Sequence, residues 1–421
     1  MLLLSKMAWR NLFRNRRRTG LMLLILATGA CSLMLVGGFL DDLMVHMRED
    51  FIHTQNGHLQ ISRPGFADEG SSSPEDFLID GYSSLASLLA EVEHVETVAP
   101  RLKLLGMASG GGASLAVQLI GVDPRAELKM SGYRHTERSN ASVEVVEGRA
   151  LEETDTASVF AGHSLVKTLS MKGGDRLNFL TARKEGALDG RDYAVVGSFR
   201  TFMKAFDERT AFVPLKEAQK LIGRPDAVTY ALLLLDETAR TDRVRARIQR
   251  LLSERRLKFD VIPWYEQADY YHQCRSFLDR IFRSVILLMA AIFAFTVSST
   301  MTVAIQERTR ELGTMMALGN QRNTILGTLL IEAAALGVLG ALLGILAGWG
   351  LGALISAIGI PMPPPPQGSA PYEAVIQVSA PLIFKTAGLT IASSLFGALL
   401  PAFRGSRKPI LEDTIMAPGR S

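Results

Sequence analysis

Four long stretches without a single charge govern what this chain can become. Arg18 to Asp41 encloses 22 uncharged residues, Arg283 to Glu307 encloses 23, Glu332 to Glu373 encloses 40 and Lys385 to Arg404 encloses 18. A helix needs about 20 apolar residues to cross the hydrocarbon core of a bilayer. Soluble domains scatter their apolar residues at the periods of helices and strands instead. With 48% hydrophobic and 21% charged residues, the composition is unremarkable, but its apolar part is concentrated into blocks. The chain therefore reads as an α-helical membrane protein with four transmembrane helices, at 19–41, 276–305 (including an outward extension), 323–354 and 379–403. A soluble enzyme carrying one anchor is excluded.

The formal net charge of +4 conceals a split: residues 42–275 hold 30 Lys and Arg against 34 Asp and Glu, whereas the remainder holds 16 against 8. Basic flanks are retained on the cytoplasmic side of a membrane. Lys6, Arg10, Arg14, Arg16, Arg17 and Arg18 precede the first span without an acid, and Arg404, Arg407 and Lys408 follow the last. Both termini are therefore expected in the cytoplasm. Residues 1–18 read as an interfacial helix with Trp9 and Phe13 at headgroup depth, and 404–421 as a tail. The loop 355–378 has neither Lys nor Arg and contains MPPPPQGSAPY (362–372), an outward polyproline segment. The basic balance thus reports topology and gives no case for a nucleic-acid partner.

Residues 42–275 read as a large external α/β domain between the first two spans, of a size that suggests two subdomains. NGHLQISR (56–63), SLAVQLIGV (114–122), YAVVGSF (193–199) and YALLLLD (230–236) have strand patterns. SLASLLAEVEHV (84–95) and RVRARIQRLLSERR (243–256) have helical ones, and 159–180 reads as helix, Gly-Gly turn, strand. Interleaved strands and helices define an α/β domain.

No GxxxxGKS, GxxxxGKT, HExxH, CxxC or GxSxG sequence occurs. The chain is accordingly expected to be non-catalytic, without a P-loop of its own. Met44, His46 and Met47 read as ordinary juxtamembrane residues rather than a metal site, and Cys31 and Cys274 as unpaired thiols. Gly340, Gly344, Gly348 and Gly352 recur every four residues in the third span, a face that admits close approach of another helix. Glu332 in the same span is a candidate intramembrane polar site. It is either a functional carboxylate or one near the cytoplasmic boundary bonded to a neighbouring helix.

The segment 306–322, QERTRELGTMMALGNQR, holds charges of both signs between two spans. It reads as a short helix able to dock into a partner's groove, with Glu307, Arg308, Arg310 and Glu311 as polar contacts around Met315, Met316 and Leu318. Gly313 and Gly319 would serve the turns at its ends. Arg308 and Glu311, three apart, would share one face.

Glu307, Arg308, Glu311 and Gly313, then Ala317-Leu318-Gly319, then Glu332-Ala333 and the spaced Gly340 and Gly344 closely resemble the signature of the FtsX-like, MacB-type ABC transporter permeases. AWRNLFRNRRRT near the start and PAFRGSRKPILEDT near the end match the same family, and the likeness extends over the whole chain. NGHLQIS, VFAGHSLVKTLSMKGGDRLNF and the MPPPP loop look most like the lipoprotein-releasing LolC/LolE branch. The resemblance implies a MacB-type periplasmic core at 42–275 and a coupling helix at 306–322, in a bacterial inner-membrane subunit. It implies ATP and Mg bound by a separate ABC ATPase dimer, and pairing with a second copy or paralogue. By mechanotransmission the subunit would act on a lipoprotein or other periplasmic protein among membrane lipids. MacB-like efflux with an adaptor and FtsX-like control of a cell-wall hydrolase are the other branches it implies.

Overall fold

The computed structural model describes residues 16–70, 72–132, 143–182, 188–362 and 372–407. Most of the expected interfacial helix, the polyproline segment and all of the tail beyond residue 407 lie outside them. The chain divides into two units. One joins Met1–Leu43, Cys274–Pro361 and Glu373–Ser421; the other holds Met44–Gln273 with Met362–Tyr372.

The membrane unit is built on four long helices: Arg16–Phe51, Asp269–Glu307, Arg322–Ile358 and Ala380–Arg407. The first has 36 residues and the second 39, so each is about 55 Å long against a hydrocarbon core of about 30 Å. Both helices continue well past the spans read from the sequence. The physical reason is that charge marks where a helix leaves the bilayer, not where its backbone ladder stops.

Small residues set the packing. A Cβ on Gly340 would lie 2.6 Å from Leu26 Cβ, one on Gly344 2.4 Å from Ala30 Cβ, and one on Gly348 2.7 Å from Met34 Cβ. The glycine stripe of span three is therefore pressed against span one, and Gly352, at its end, faces Ile376. Gly29 receives the Phe293 ring, and a Cβ on Gly397 of span four would sit 2.2 Å from the Ala294 carbonyl oxygen of span two. Ser394 donates from span four to the Ala333 carbonyl of span three at 2.7 Å, satisfying a hydroxyl that lipid would leave unpaired. Span two is the least covered: 11% of its central stretch is buried, against 44% for spans one and three.

The extramembrane unit carries one sheet of ten strands. They are β1 (Leu59–Ser62), β2 (Val95–Gly110), β3 (Ala113–Val122), β4 (Glu144–Gly148), β5 (Ser158–Gly162), β6 (Arg176–Ala182), β7 (Leu188–Arg200), β8 (Thr210–Pro214), β9 (Tyr230–Leu235) and β10 (Asp260–Pro263). The order is β10-β1-β9-β2-β3-β8-β5-β7-β4, with β6 bridging β2 and β7. Pairing is antiparallel except for β3 with β8 and β5 with β7. Two large cores and two smaller ones share this sheet. Leu59, Ile61 and Leu233 meet Leu85 and Leu89 of the helix Tyr82–Ala90 and Val244, Ile248 and Leu252 of the helix Thr241–Glu254. Leu104, Leu119, Phe179, Tyr193 and Val213 form the other large core. The 16-residue β2 runs through both, so the two lobes are continuous rather than separate domains.

The first long helix enters this unit through a π-turn, Ile52–Asn56, closed by Gly57 at φ +62°. A Cβ there would meet the Leu233 backbone at 3.0 Å in a conformation L side chains rarely adopt. His58 Nδ1 accepts the Leu235 N–H at 3.1 Å, and burial, with His53 and Arg48 adding to it, pushes its pKa down to about 4. The ring is neutral at physiological pH and acts as a fixed strut. Behind it, Arg101 and Glu127 form an ion pair of 2.7 Å with side chains 1% and 2% exposed, and Ser131 donates to the same carboxylate oxygen. An ion pair this deep holds register because losing either partner strands a charge.

Candidate functional site

Between spans two and three the backbone breaks at Arg308 (φ −102°, ψ 13°), and a nine-residue helix, Thr309–Ala317, follows. It stops in a Schellman arrangement: the Asn320 N–H bonds to the Met315 carbonyl and the Gly319 N–H to the Met316 carbonyl. Gly319 takes the left-handed conformation this requires, at φ +91°. Gly319 thus serves the turn expected of it. Gly313 does not, because it lies inside the helix.

The break decides which side chains face where. Arg308, Leu312 and Met316, four apart, form the inward face: Leu312 and Met316 pack on the core of the spans. The Arg308 guanidinium reaches Glu332 of span three, with Nη1 at 3.2 Å from one carboxylate oxygen and 3.4 Å from the other. Their side chains are 11% and 8% exposed. Glu332 lies ten residues into its helix, about 15 Å from the start, where a lone carboxylate is costly and a paired one is tolerated. It is therefore an interhelical bond. Glu307, at the end of span two, accepts from Arg18 at the start of span one at 2.7 Å. Three elements are clamped through these two pairs.

The outward face carries Arg310, Glu311, Thr314 and Leu318, the last 80% exposed, with Met315 half-buried beside them. Arg308 and Glu311 consequently do not share a docking face. Arg308 is held by Glu332 of span three, whereas Glu311 is exposed on the helix surface. Met316 likewise belongs to the bundle. Sequence reasoning treated Arg18 as a topology signal only and passed over Leu312. The four-residue spacing of 308, 312 and 316 was the signal for the second.

Four long apolar helices, an α/β domain inserted after the first and a two-faced helix between the second and third make up a multi-span membrane protein. The family description "MacB-like periplasmic core domain" matches residues 19–251, and "FtsX-like permease C-terminal" matches 283–410. The chain belongs to the FtsX-like, MacB-type ABC transporter permeases, a family of subunits that work with an ABC ATPase. It is 23% identical to the uncharacterized ABC transporter permease YvrN of Bacillus subtilis over 96% of both chains. It is 22% identical to the lipoprotein-releasing system transmembrane protein LolE of Haemophilus influenzae over 64% of each. Its likeness to the macrolide export protein MacB of Agrobacterium fabrum is 26% identity over 41% of this chain and 27% of that protein. The periplasmic region of MacB from Actinobacillus actinomycetemcomitans aligns with 51% of this chain and 92% of its own, at 15% identity and a TM-score of 0.37.

Proposed function

We propose that this chain transmits ATP-driven motion from a separate ABC ATPase to its extramembrane domain, with the Thr309–Ala317 helix as the docking element. The single observation carrying this reading is the division of that helix. One face packs on the bundle through Leu312 and Met316, with Arg308 at its start bound to Glu332 of span three, while Arg310, Glu311 and Leu318 face outward. A push on the outward face is passed to the spans instead of being absorbed by a loose loop. The first and second helices run unbroken beyond bilayer length, which gives the motion a route outward. With basic flanks inside, the docking helix lies on the cytoplasmic side and the residue 44–273 domain in the periplasm. The chain works as a pair, with a second copy or a paralogue. ATP and Mg belong to the partner ATPase, and this chain alone hydrolyses no ATP. The substrate is a lipid-anchored protein released from the inner membrane, a reading supported by the likeness to LolE over 64% of both chains.

Charge reversal on the outward face tests the docking. An Arg310→Glu, Glu311→Lys variant should insert normally and lose about 5- to 150-fold in stimulation of the co-expressed ATPase, the effect of about 1–3 kcal/mol of unpaired polar contact. Undiminished stimulation would show that the partner docks elsewhere. Co-purification tests the substrate: a lipoprotein supports release, whereas an adaptor or a cell-wall hydrolase would move the chain to the efflux or signalling branch.

A further inference from the structure

A groove of about 600 Å³ runs along the membrane unit between spans two and four and ends against span three. At its floor the backbones of spans two and four approach closely, Gly397 facing the Ala294 carbonyl. Its walls are Phe295, Phe396 and Phe403, 76%, 72% and 45% exposed, with Ser298, Leu326 and Leu400 between them. Apart from Ser298 this lining is apolar, and the groove is open along its side.

One end of the groove is charged. Arg322 precedes Leu326 by four residues on span three, and Arg404 follows Leu400 by four on span four. Residues four apart share a helix face, so both arginines lie on the groove side of their helices. Arg322 opens span three and Arg404 stands near the close of span four, which puts both at the same end of the unit, and both are exposed. Helical side chains lean toward the helix N-terminus. Arg404 therefore leans back toward Leu400, and Arg322 toward the membrane surface. Neither forms an ion pair among the described residues, unlike Arg18 and Arg308 of the same unit.

An open apolar groove with two exposed, unpaired arginines toward one end has the chemistry of a phospholipid site. Arginine presents a planar fork matched to phosphate oxygens, and basic pockets between spans select acidic headgroups. We infer that the groove holds an acyl chain of an anionic phospholipid whose phosphate is met by Arg322 and Arg404. The site uses none of the outward residues of the docking helix, and it stands independently of the proposed coupling and substrate.

The test is native mass spectrometry of the full chain extracted from vesicles of equal phosphatidylglycerol and phosphatidylcholine. The intact protein should retain phosphatidylglycerol preferentially. The Arg322→Gln, Arg404→Gln variant should lose that preference by about 30-fold, the combined effect of two surface arginines on an acidic lipid. Ser298→Trp, which fills the groove and leaves both arginines in place, should reduce retention of both lipids. Retention in the vesicle ratio by the intact chain, or an unchanged preference in the double variant, would overturn the assignment. So would efficient disulfide cross-linking of Phe396→Cys between two copies, which would make the groove a protein interface.

Discussion

Glu332→Ala should destabilise the chain by about 3–5 kcal/mol, the cost of leaving a buried guanidinium without its carboxylate. Arg308 sits 3.2 Å from Glu332 in a setting where neither side chain is more than 11% exposed. Arg308→Ala should cost a similar amount, since it strands the carboxylate 15 Å along span three by about 1.5 Å per residue. The informative variant is the pair replaced together. Arg308→Met with Glu332→Leu removes both charges and keeps the volume apolar, so thermal stability in detergent should return close to that of the parent. ATPase stimulation should not return, because the outward face would no longer be tied to span three. A single-site change that left the unfolding midpoint untouched would mean that the pair is not formed. Restored stimulation in the double variant would mean that the apolar contacts of Leu312 and Met316 suffice.

A second large effect is expected at Gly344. Any Cβ there falls 2.4 Å from Ala30 Cβ and 2.6 Å from the Ala27 carbonyl oxygen. The second of these is backbone and cannot swing aside, so spans one and three must separate. Gly344→Leu should cost at least about 3 kcal/mol, the upper part of the range for overpacking a filled interior. Six residues on, Gly350 is the control, because a Cβ there meets nothing within 4 Å. Gly350→Leu should be neutral or stabilising by up to about 1 kcal/mol, since leucine is the better helix former. Unfolding midpoints of the two variants in detergent measure the difference. Equal effects at 344 and 350 would dispose of the idea that the stripe is a contact surface.

Much of the architecture is legible along the chain because local physics writes it there. Tyr230–Leu235 reads as a strand, and its unbroken apolar run reflects cover on both faces, every residue being buried. Residues 243–256 read as a helix, and Val244, Ile248 and Leu252, four apart, are buried on one face of it. The candidate site was legible as a segment but not as a surface. Charged residues of both signs between two spans mark a short exposed helix, yet nothing local states that its first arginine turns inward.

The sequence by itself determined that the chain crosses a membrane four times, carries an α/β domain after the first crossing and bears the permease signature between the second and third. The first two follow from the cost of moving charge out of water and from helix and strand periodicity, both of which act on neighbouring residues, and the third from resemblance to a family. Only the tertiary structure decided the partners: Arg308 with Glu332, 24 residues apart, Arg18 with Glu307, 289 apart, and the glycine stripe with span one rather than another helix. Each glycine could have faced any neighbour and each arginine could have met several carboxylates at similar cost in isolation. The choice belongs to the packing of the whole bundle, where backbone approach at Gly344 and Gly397 fixes which charges can reach one another.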